Sequence, residues 1–347
     1  MTTQRVITDT ADAASWSVQT LTYDDEGRLI QRDFVLDNNG ATHVVYDPAD
    51  LQDWTRIIAT YDAEGHLRSK TTNFDDGGHT NTFYDACGTE AWQTQTVSYD
   101  TGNQRVRLDV VLDDGGKIIN HYDAGNAQGW SKQSFTYDAQ DHVTFQATNY
   151  DDGSRVTVQY DVAGLQDWQQ VTLNYNADGQ LASQLIEYDN GTGAEIFRDA
   201  GNNAEWSKYI ISHAAGGAVS QRAVTFDAGG QAVMRYDVAG TEAWTADARL
   251  SMSDGTLAYR ATVHDDRSLQ EDLGGADWHE IFDGNGVVVH RSAEFGDGIT
   301  LIVDYDVADA HDWSVYAVLY GADGAALYSA GINDNGSLSE TIASPLA

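Results

Sequence analysis

The chain has 347 residues, with 54 Asp and Glu against 19 Lys and Arg, a formal charge of −35. So acidic a surface excludes nucleic acid and anionic membrane as expected partners, because both need a positive protein face. Hydrophobic residues make up 41%, enough for a folded core, and no run of about 18 apolar residues offers a membrane-spanning helix.

The first residues, Met1 to Asp9, contain no apolar signal core, so classical secretion is not expected of this segment. The single cysteine, Cys87, leaves no internal disulfide and no cysteine metal cluster.

Repetition decides the architecture. Trp16, Trp54, Trp92, Trp130, Trp168, Trp206 and Trp244 stand 38 residues apart, and Trp278 and Trp313 follow at spacings of 34 and 35. These are all nine tryptophans. The chain opens in the last strand of a unit, since Arg5–Asp9 aligns with His43–Asp47. Three turn signals then recur in most units. The first is Tyr23-Asp24, Tyr61-Asp62, Tyr99-Asp100 and Tyr137-Asp138, weakening to Tyr175-Asn176 and His213-Ala214. The second is an aspartate at Asp37, Asp75, Asp113, Asp151, Asp189, Asp227 and Asp265, usually followed closely by glycine. The third precedes the tryptophan: Tyr46-Asp47, Tyr84-Asp85, Tyr122-Asp123, Tyr160-Asp161, Tyr236-Asp237 and Tyr305-Asp306, with Arg198-Asp199 as the departure.

Between these signals lie runs of about 6–9 residues rich in Thr, Val, Ile, Tyr and Phe, the lengths and types of strands. Asp-Gly between such runs marks hairpins, since glycine accepts the positive φ of a tight turn. Each unit therefore reads as three short strands. The fold class is all-β, nine units of about 38 residues in one domain spanning 1–347, regular over about 5–250 and irregular over 251–347. Three is an odd number, so a simple meander would reverse direction at every repeat. Equivalent tryptophan environments then predict that the third connection recrosses a spiralling sheet, or that the units stack as a solenoid. A propeller-like ring is the alternative, although its blades usually have four strands.

Tyr61-Asp62-Ala63-Glu64-Gly65-His66-Leu67 and Tyr23-Asp24-Asp25-Glu26-Gly27-Arg28-Leu29 resemble the YD repeats of bacterial RHS-type proteins. The longer unit, with Tyr236-Asp237-Val238-Ala239-Gly240-Thr241-Glu242-Ala243-Trp244, is similar to repeats attached to large acidic bacterial haemolysin-type calcium-binding proteins. The resemblance covers nearly all the chain. It implies a shell or surface-fibre role, an extracellular scaffold, and it names no activity. The sequence departs from both families, having no Gly-Gly-x-Gly-x-Asp array and no toxin domain.

One tryptophan per unit could stack on sugar rings, but its regular place at a strand start favours packing between repeats. The aspartates at 37, 75, 113, 151, 189, 227 and 265 are the candidate metal ligands. Calcium, a hard cation seeking six to eight oxygens, is the expected ion. The competing reading is that these aspartates accept backbone amides in Asx-turns. Where the repeats shorten, His264, Asp266, His279, Glu280, Asp283 and His290 form a candidate grafted site within 264–297, against the simpler reading of degenerate capping repeats. No zinc-protease spacing and no Gly-x-Ser-x-Gly elbow occurs. Asn190-Gly191-Thr192 and Asn335-Gly336-Ser337 fit the glycosylation sequon.

The leading expectation is a non-enzymatic, secreted or surface-associated scaffold or adhesin, stabilised by calcium, whose partners are a cell-surface glycan or matrix. Its export would use a signal-independent route with a signal inside Gly331–Ala347; a cytoplasmic location is the alternative. A carbohydrate-binding module and a polysaccharide-acting enzyme with paired carboxylates in 264–297 are the competing functions.

Overall fold

The computed structural model describes residues 1–204, 206–227, 229–295, 298–334 and 337–342. Asn335 of the second sequon and the residues 343–347 of the expected export segment therefore lie outside the described residues. The described chain forms strands and no helix, an all-β repeat architecture.

One unit shows how the sequence builds the rest. Trp54–Tyr61 pairs antiparallel with Leu67–Phe74, and Leu67–Phe74 with His79–Tyr84. The first hairpin closes at Asp62, whose Oδ1 accepts the His66 amide at 2.7 Å. The second closes at Asp75-Asp76-Gly77-Gly78. There Gly77 sits at φ +91°, and a Cβ on Gly78 would lie 3.0 Å from the Tyr99 carbonyl oxygen. The positive φ favours glycine at the first position, although Asn39 and Arg267 take it at φ +65° and +69° in their units, and the second carries a side chain in others, as at Ser154 and Thr192. Between the first two strands the register slips after the tryptophan, between Trp54 and Arg56, a bulge that recurs in the corresponding pairs.

The third connection does not recross. His79–Tyr84 pairs directly with the next Trp92–Tyr99, with Tyr84 opposite Thr94, and Ala41–Tyr46 likewise pairs with Trp54–Tyr61. The expectation of a recrossing connection is thus corrected. The aspartate opening that connection explains why. Asp85 Oδ2 accepts the Glu90 amide at 2.8 Å and Asp123 Oδ2 the Gln128 amide at 2.7 Å. Curled back on its own aspartate, the segment spans only the gap between neighbouring strands.

A meander of three-stranded units also makes the tryptophans inequivalent. Residues opposite each other share a face, and faces alternate along a strand. One row runs Leu21, Arg32, Val44, Ile58, Thr71, Asn81, Val97, Leu108, Asn120, Ser134, Ala147. Trp16 opposes Leu36 and Trp92 opposes Leu112, both on that face. Trp54 opposes Phe74 and Trp130 opposes Tyr150, on the other. Successive tryptophans alternate sides.

The chain divides into two compact units, Met1–Ala163 and Gly164–Ala347, where the sequence reads as one uninterrupted array. In the first, thirteen strands follow one another in a single meander, and the buried apolar side chains are Val44, Val97, Val110 and Ala147. In the second, the strands from Trp168–Tyr175 to Leu269–Asp272 form one meander and those from His279–Phe282 to Leu338–Ile342 a second sheet. Their apolar faces meet. Phe226, Leu250 and Tyr259 of the meander cluster with Ala293, Leu301, Val303 and Leu319 of the second sheet.

Candidate functional site

The three recurrent aspartates have different duties. The first and third cap turns, so their charge is neutralised locally by amide donors. The His142 amide holds the Asp138 carboxyl below the ordinary carboxylate range, and the Glu90 and Glu242 amides do the same for Asp85 and Asp237. In the second turn the capping residue is the one after the recurrent aspartate. Asn38, Asp76, Asp114, Asp152, Asn190 and Asp266 accept the amides of Gly40, Gly78, Gly116, Ser154, Thr192 and Ser268 at 2.8–3.0 Å. The Asx-turn reading of Asp37, Asp75, Asp113, Asp151, Asp189 and Asp265 is therefore displaced by one residue.

Those six aspartates instead use their backbone amides. Each donates to the carbonyl of the residue just before the tryptophan: Ser15, Asp53, Ala91, Gly129, Asp167 and Ala243, at 3.2–3.4 Å. This brings the second turn against the third connection. At one such end Asp75 faces Asp47, Asp50, Asp53 and Asp76, and desolvation followed by the charges of Asp50, Asp47 and Asp53 pushes its carboxyl above the usual range. Asp334 faces Asp309, Asp306 and Asp312 with the same result. Asp227 is exposed and adjoins residue 228, outside the described residues. Among the described residues no three His, Cys, Asp or Glu side chains converge as a metal site; of the candidate aspartates, Asp75 is the one whose carboxyl is pushed up by like charges around it.

The candidate grafted residues take separate local partners. His264 Nδ1 and Nε2 meet the Ala243 carbonyl at 3.2 Å and Gln270 Oε1 at 3.3 Å. Asp266 caps Ser268, and Asp283 accepts the Asn285 and Val287 amides at 2.8 Å. His290 Nδ1 lies 2.6 Å from Asp304 Oδ1, and His279 is exposed. Residues 296 and 297, at the end of that stretch, lie outside the described residues.

Glu280 belongs to a different constellation, centred on Glu271. The Tyr259 and Tyr305 hydroxyls each donate to Glu271 Oε1 at 2.6 Å, and Arg291 Nη1 donates to Oε2 at 2.7 Å. Arg291 Nε donates to Glu280 at 2.8 Å. Burial, then the Glu271 charge, pushes the Tyr259 hydroxyl far up; burial, then the Glu271 hydrogen bond, raises Tyr305. Both therefore remain protonated donors at every working pH. The network ties the edge of the meander to the second sheet, a structural role. Tyr259 and Arg291 carry no motif, and Tyr305 is marked in the sequence only as part of a turn signal, because the three meet only when the two sheets pack.

The tryptophans divide as well. Trp206 is 4% exposed, whereas the other eight are half-buried. The Trp313 ring is stacked on His311 at 4.8 Å and 5°.

No known protein family matches the chain, and no curated protein matches it. Solved structures align over most of its length with low identity. One described as a eukaryotic initiation factor shares 8% identity over 93% of this chain and 85% of that one, at a TM-score of 0.18. The TcdB2-TccC3 structure shares 11% over 94% of this chain and 26% of its own, at 0.14. BamB from Moraxella catarrhalis shares 9% over 81% of this chain and 96% of its own, at 0.12. Similarity this slight carries no functional argument.

Proposed function

We propose that the protein is a non-enzymatic, acidic β-repeat scaffold or adhesin that works outside the cell or at its surface, with divalent cations, calcium first, relieving its self-repulsion. The observation that carries this reading is the division of labour among the aspartates. Two of the three are consumed by turn capping, while the third does not cap its turn, and at Asp75 it stands beside Asp47, Asp50 and Asp53. Clusters that repel one another and have no preformed shell attract divalent ions loosely, by charge rather than by geometry. A YD-repeat relationship to RHS-type proteins agrees with such a role.

The test is a thermal melt in CaCl2 against NaCl at matched ionic strength. A divalent ion bound to the native state adds stability by linkage, about 2.7 kcal/mol at a hundredfold excess over its dissociation constant. Monovalent salt only shortens the screening length, to about 8 Å at 0.15 M. Calcium should raise Tm beyond sodium, and changing Asp75, Asp113 and Asp151 together to Asn should shrink the difference. Coincident melts would leave the acidity serving solubility alone.

A second reading, carbohydrate binding, is favoured by the half-buried tryptophans. Aromatic faces left partly in solvent can stack on sugars, and a glycan array separates the two readings.

A further inference from the structure

In the Met1–Ala163 unit a two-repeat period lies within the one-repeat period. At one position of successive repeats stand Val18, Arg56, Thr94 and Lys132, cations alternating with uncharged residues; at another stand Val35, Asn73, Val111 and Asn149, amides alternating with valines. Successive repeats present the same position to opposite faces of the sheet, so the alternation sorts the polar members onto one face. There they form a row near the strand ends. Tyr46 lies opposite Arg56, and Arg56 opposite Asn73. Two repeats later Tyr122 lies opposite Lys132, Lys132 opposite Asn149, and Asn149 opposite Arg155. Arg105 joins the row where the register slips between Ser98 and Tyr99. Its guanidinium lies 4.8 Å from the centre of the Tyr122 ring, and Lys132 Nζ lies 5.7 Å from it. One ring thus holds two cations in place, which lowers the ordering cost of binding an anion between them.

These cations lack counter-ions. On the Arg105–Leu112 and Lys117–Tyr122 strands the other face pairs its cations, Arg107 with Asp109 at 2.8 Å and Lys117 with Asp141 at 2.6 Å, whereas among the described residues Arg105, Lys132 and Arg155 have no carboxylate at ion-pair distance. The carboxylates of the flanking loops are engaged in their own turns: Asp100 accepts the Gln104 amide at 2.8 Å, Asp123 the Gln128 amide at 2.7 Å and Asp152 the Ser154 amide at 2.8 Å. Arg105 and Arg155 are exposed, and Lys132, Tyr122 and Asn149 half-buried.

We propose that this row binds an acidic polysaccharide, with uronate carboxylates accepting charge-assisted hydrogen bonds from Arg105, Lys132 and Arg155. The three stand on alternate strands, roughly 10 Å apart at the spacing of a sheet. An extended chain of linked uronates repeats its orientation every second sugar, a matching interval, and Asn149 offers its amide to a sugar hydroxyl between two such contacts. The proposal rests on the carbohydrate reading and moves its contacts from the tryptophans to the cationic row.

The probe is polygalacturonate, with its fully methyl-esterified form as the same chain without charge. Each is titrated calorimetrically into the full-length protein without calcium at 0.15 M NaCl, where charges beyond about 8 Å are screened. The acid form should bind, and the ester about tenfold more weakly or less. Arg105→Gln combined with Lys132→Gln should weaken the acid form about tenfold or more, the worth of a hydrogen bond to a charged group. Arg155→Gln alone gives a second, independent loss, and Lys117→Gln, on the other face, should change nothing. The proposal is overturned if the acid form does not bind, if the ester binds as well, or if folded row variants bind as the parent does. It also fails if Lys117→Gln weakens binding equally, if polyphosphate binds as tightly, or if binding needs calcium, which would assign it to the acidic turns. Neutral glycans held equally by the parent and the row variants, with no binding of the acid form, would remove this site and leave the carbohydrate reading standing; a glycan array blank throughout would remove both.

Discussion

Phe74 and Phe226 hold the same position of the repeat, each opposite the tryptophan of its own unit, Trp54 and Trp206. Phe226 is 2% exposed and Trp206 4%, whereas Phe74 and Trp54 are half-buried. The repeat is the same; its covering differs. In the Gly164–Ala347 unit a second sheet packs its apolar face on the meander. In the Met1–Ala163 unit the strands all belong to one sheet, and the row described above mixes polar with apolar side chains. Thr71 donates to Asn81 at 2.8 Å and Ser134 to Asn120 at 2.6 Å within a row that also holds Val44 and Val97. A single layer is stabilised by ladders and cross-strand pairs, and a double layer adds burial.

The sharpest way to break this comparison is to empty matched positions. Phe226→Ala should cost about 3–5 kcal/mol, the penalty of a buried aromatic cavity, and Phe74→Ala about half as much or less. Trp206→Ala against Trp130→Ala should show the same order. Denaturant unfolding measures both, and equal losses at matched positions would mean that the two units are buried alike.

A smaller effect is expected where the meander joins the second sheet. Arg291→Met leaves Glu271 and Glu280 without their guanidinium and should cost about 1–3 kcal/mol, the price of a half-buried acceptor losing its donor. In the first unit, removing the exposed pair of Arg107 with Asp109 should cost less than about 1 kcal/mol. A loss at Arg107 as large as at Arg291 would contradict the packing role given to the Glu271 network.

Cutting the chain sharpens the comparison in another way. The fragment 164–347, with its two-layer core, should unfold in one steep transition. The fragment 1–163 should unfold over a broader range, as nearest-neighbour arrays do when their interfaces are weak. Chemical denaturation followed by circular dichroism gives both slopes. A first fragment as steep as the second would show cooperativity that does not need the second layer.

The smallest effects concern charge. Asp75 has its folded pKa raised, so its ionised form costs stability above that pKa, and the cost disappears once the pH falls below its unfolded value. Asp75→Asn should therefore raise Tm at neutral pH and leave it unchanged in acid. Asp138 is the opposite case. Its folded pKa is lowered, so its stabilisation is present above the unfolded value and lost as pH falls through the folded one. Asp138→Ala should lower Tm at neutral pH, with the difference fading in acid. Parallel melts across pH at low ionic strength read both signs, and a fall in Tm for Asp75→Asn would remove the repulsion argument.

The strands, their lengths and their turns were legible in the sequence because each depends on a few neighbours along the chain. Trp54, Tyr61-Asp62, Asp75 and Tyr84-Asp85 mark the boundaries of Trp54–Tyr61, Leu67–Phe74 and His79–Tyr84 to within a residue or two. The recurrent aspartates were legible as turn residues, but not which of Asp75 and Asp76 would cap, since that depends on the backbone path through Gly77 and Gly78. What only the tertiary structure decided is what lies across a face. Whether Trp206 is buried and Trp54 is not, and whether Glu271 meets Tyr259, Arg291 and Tyr305, both depend on a second sheet folding over the first. A repeat that writes the same local signals in every unit cannot encode that difference locally. It arises from the side chains of distant strands, which meet only after the layers pack.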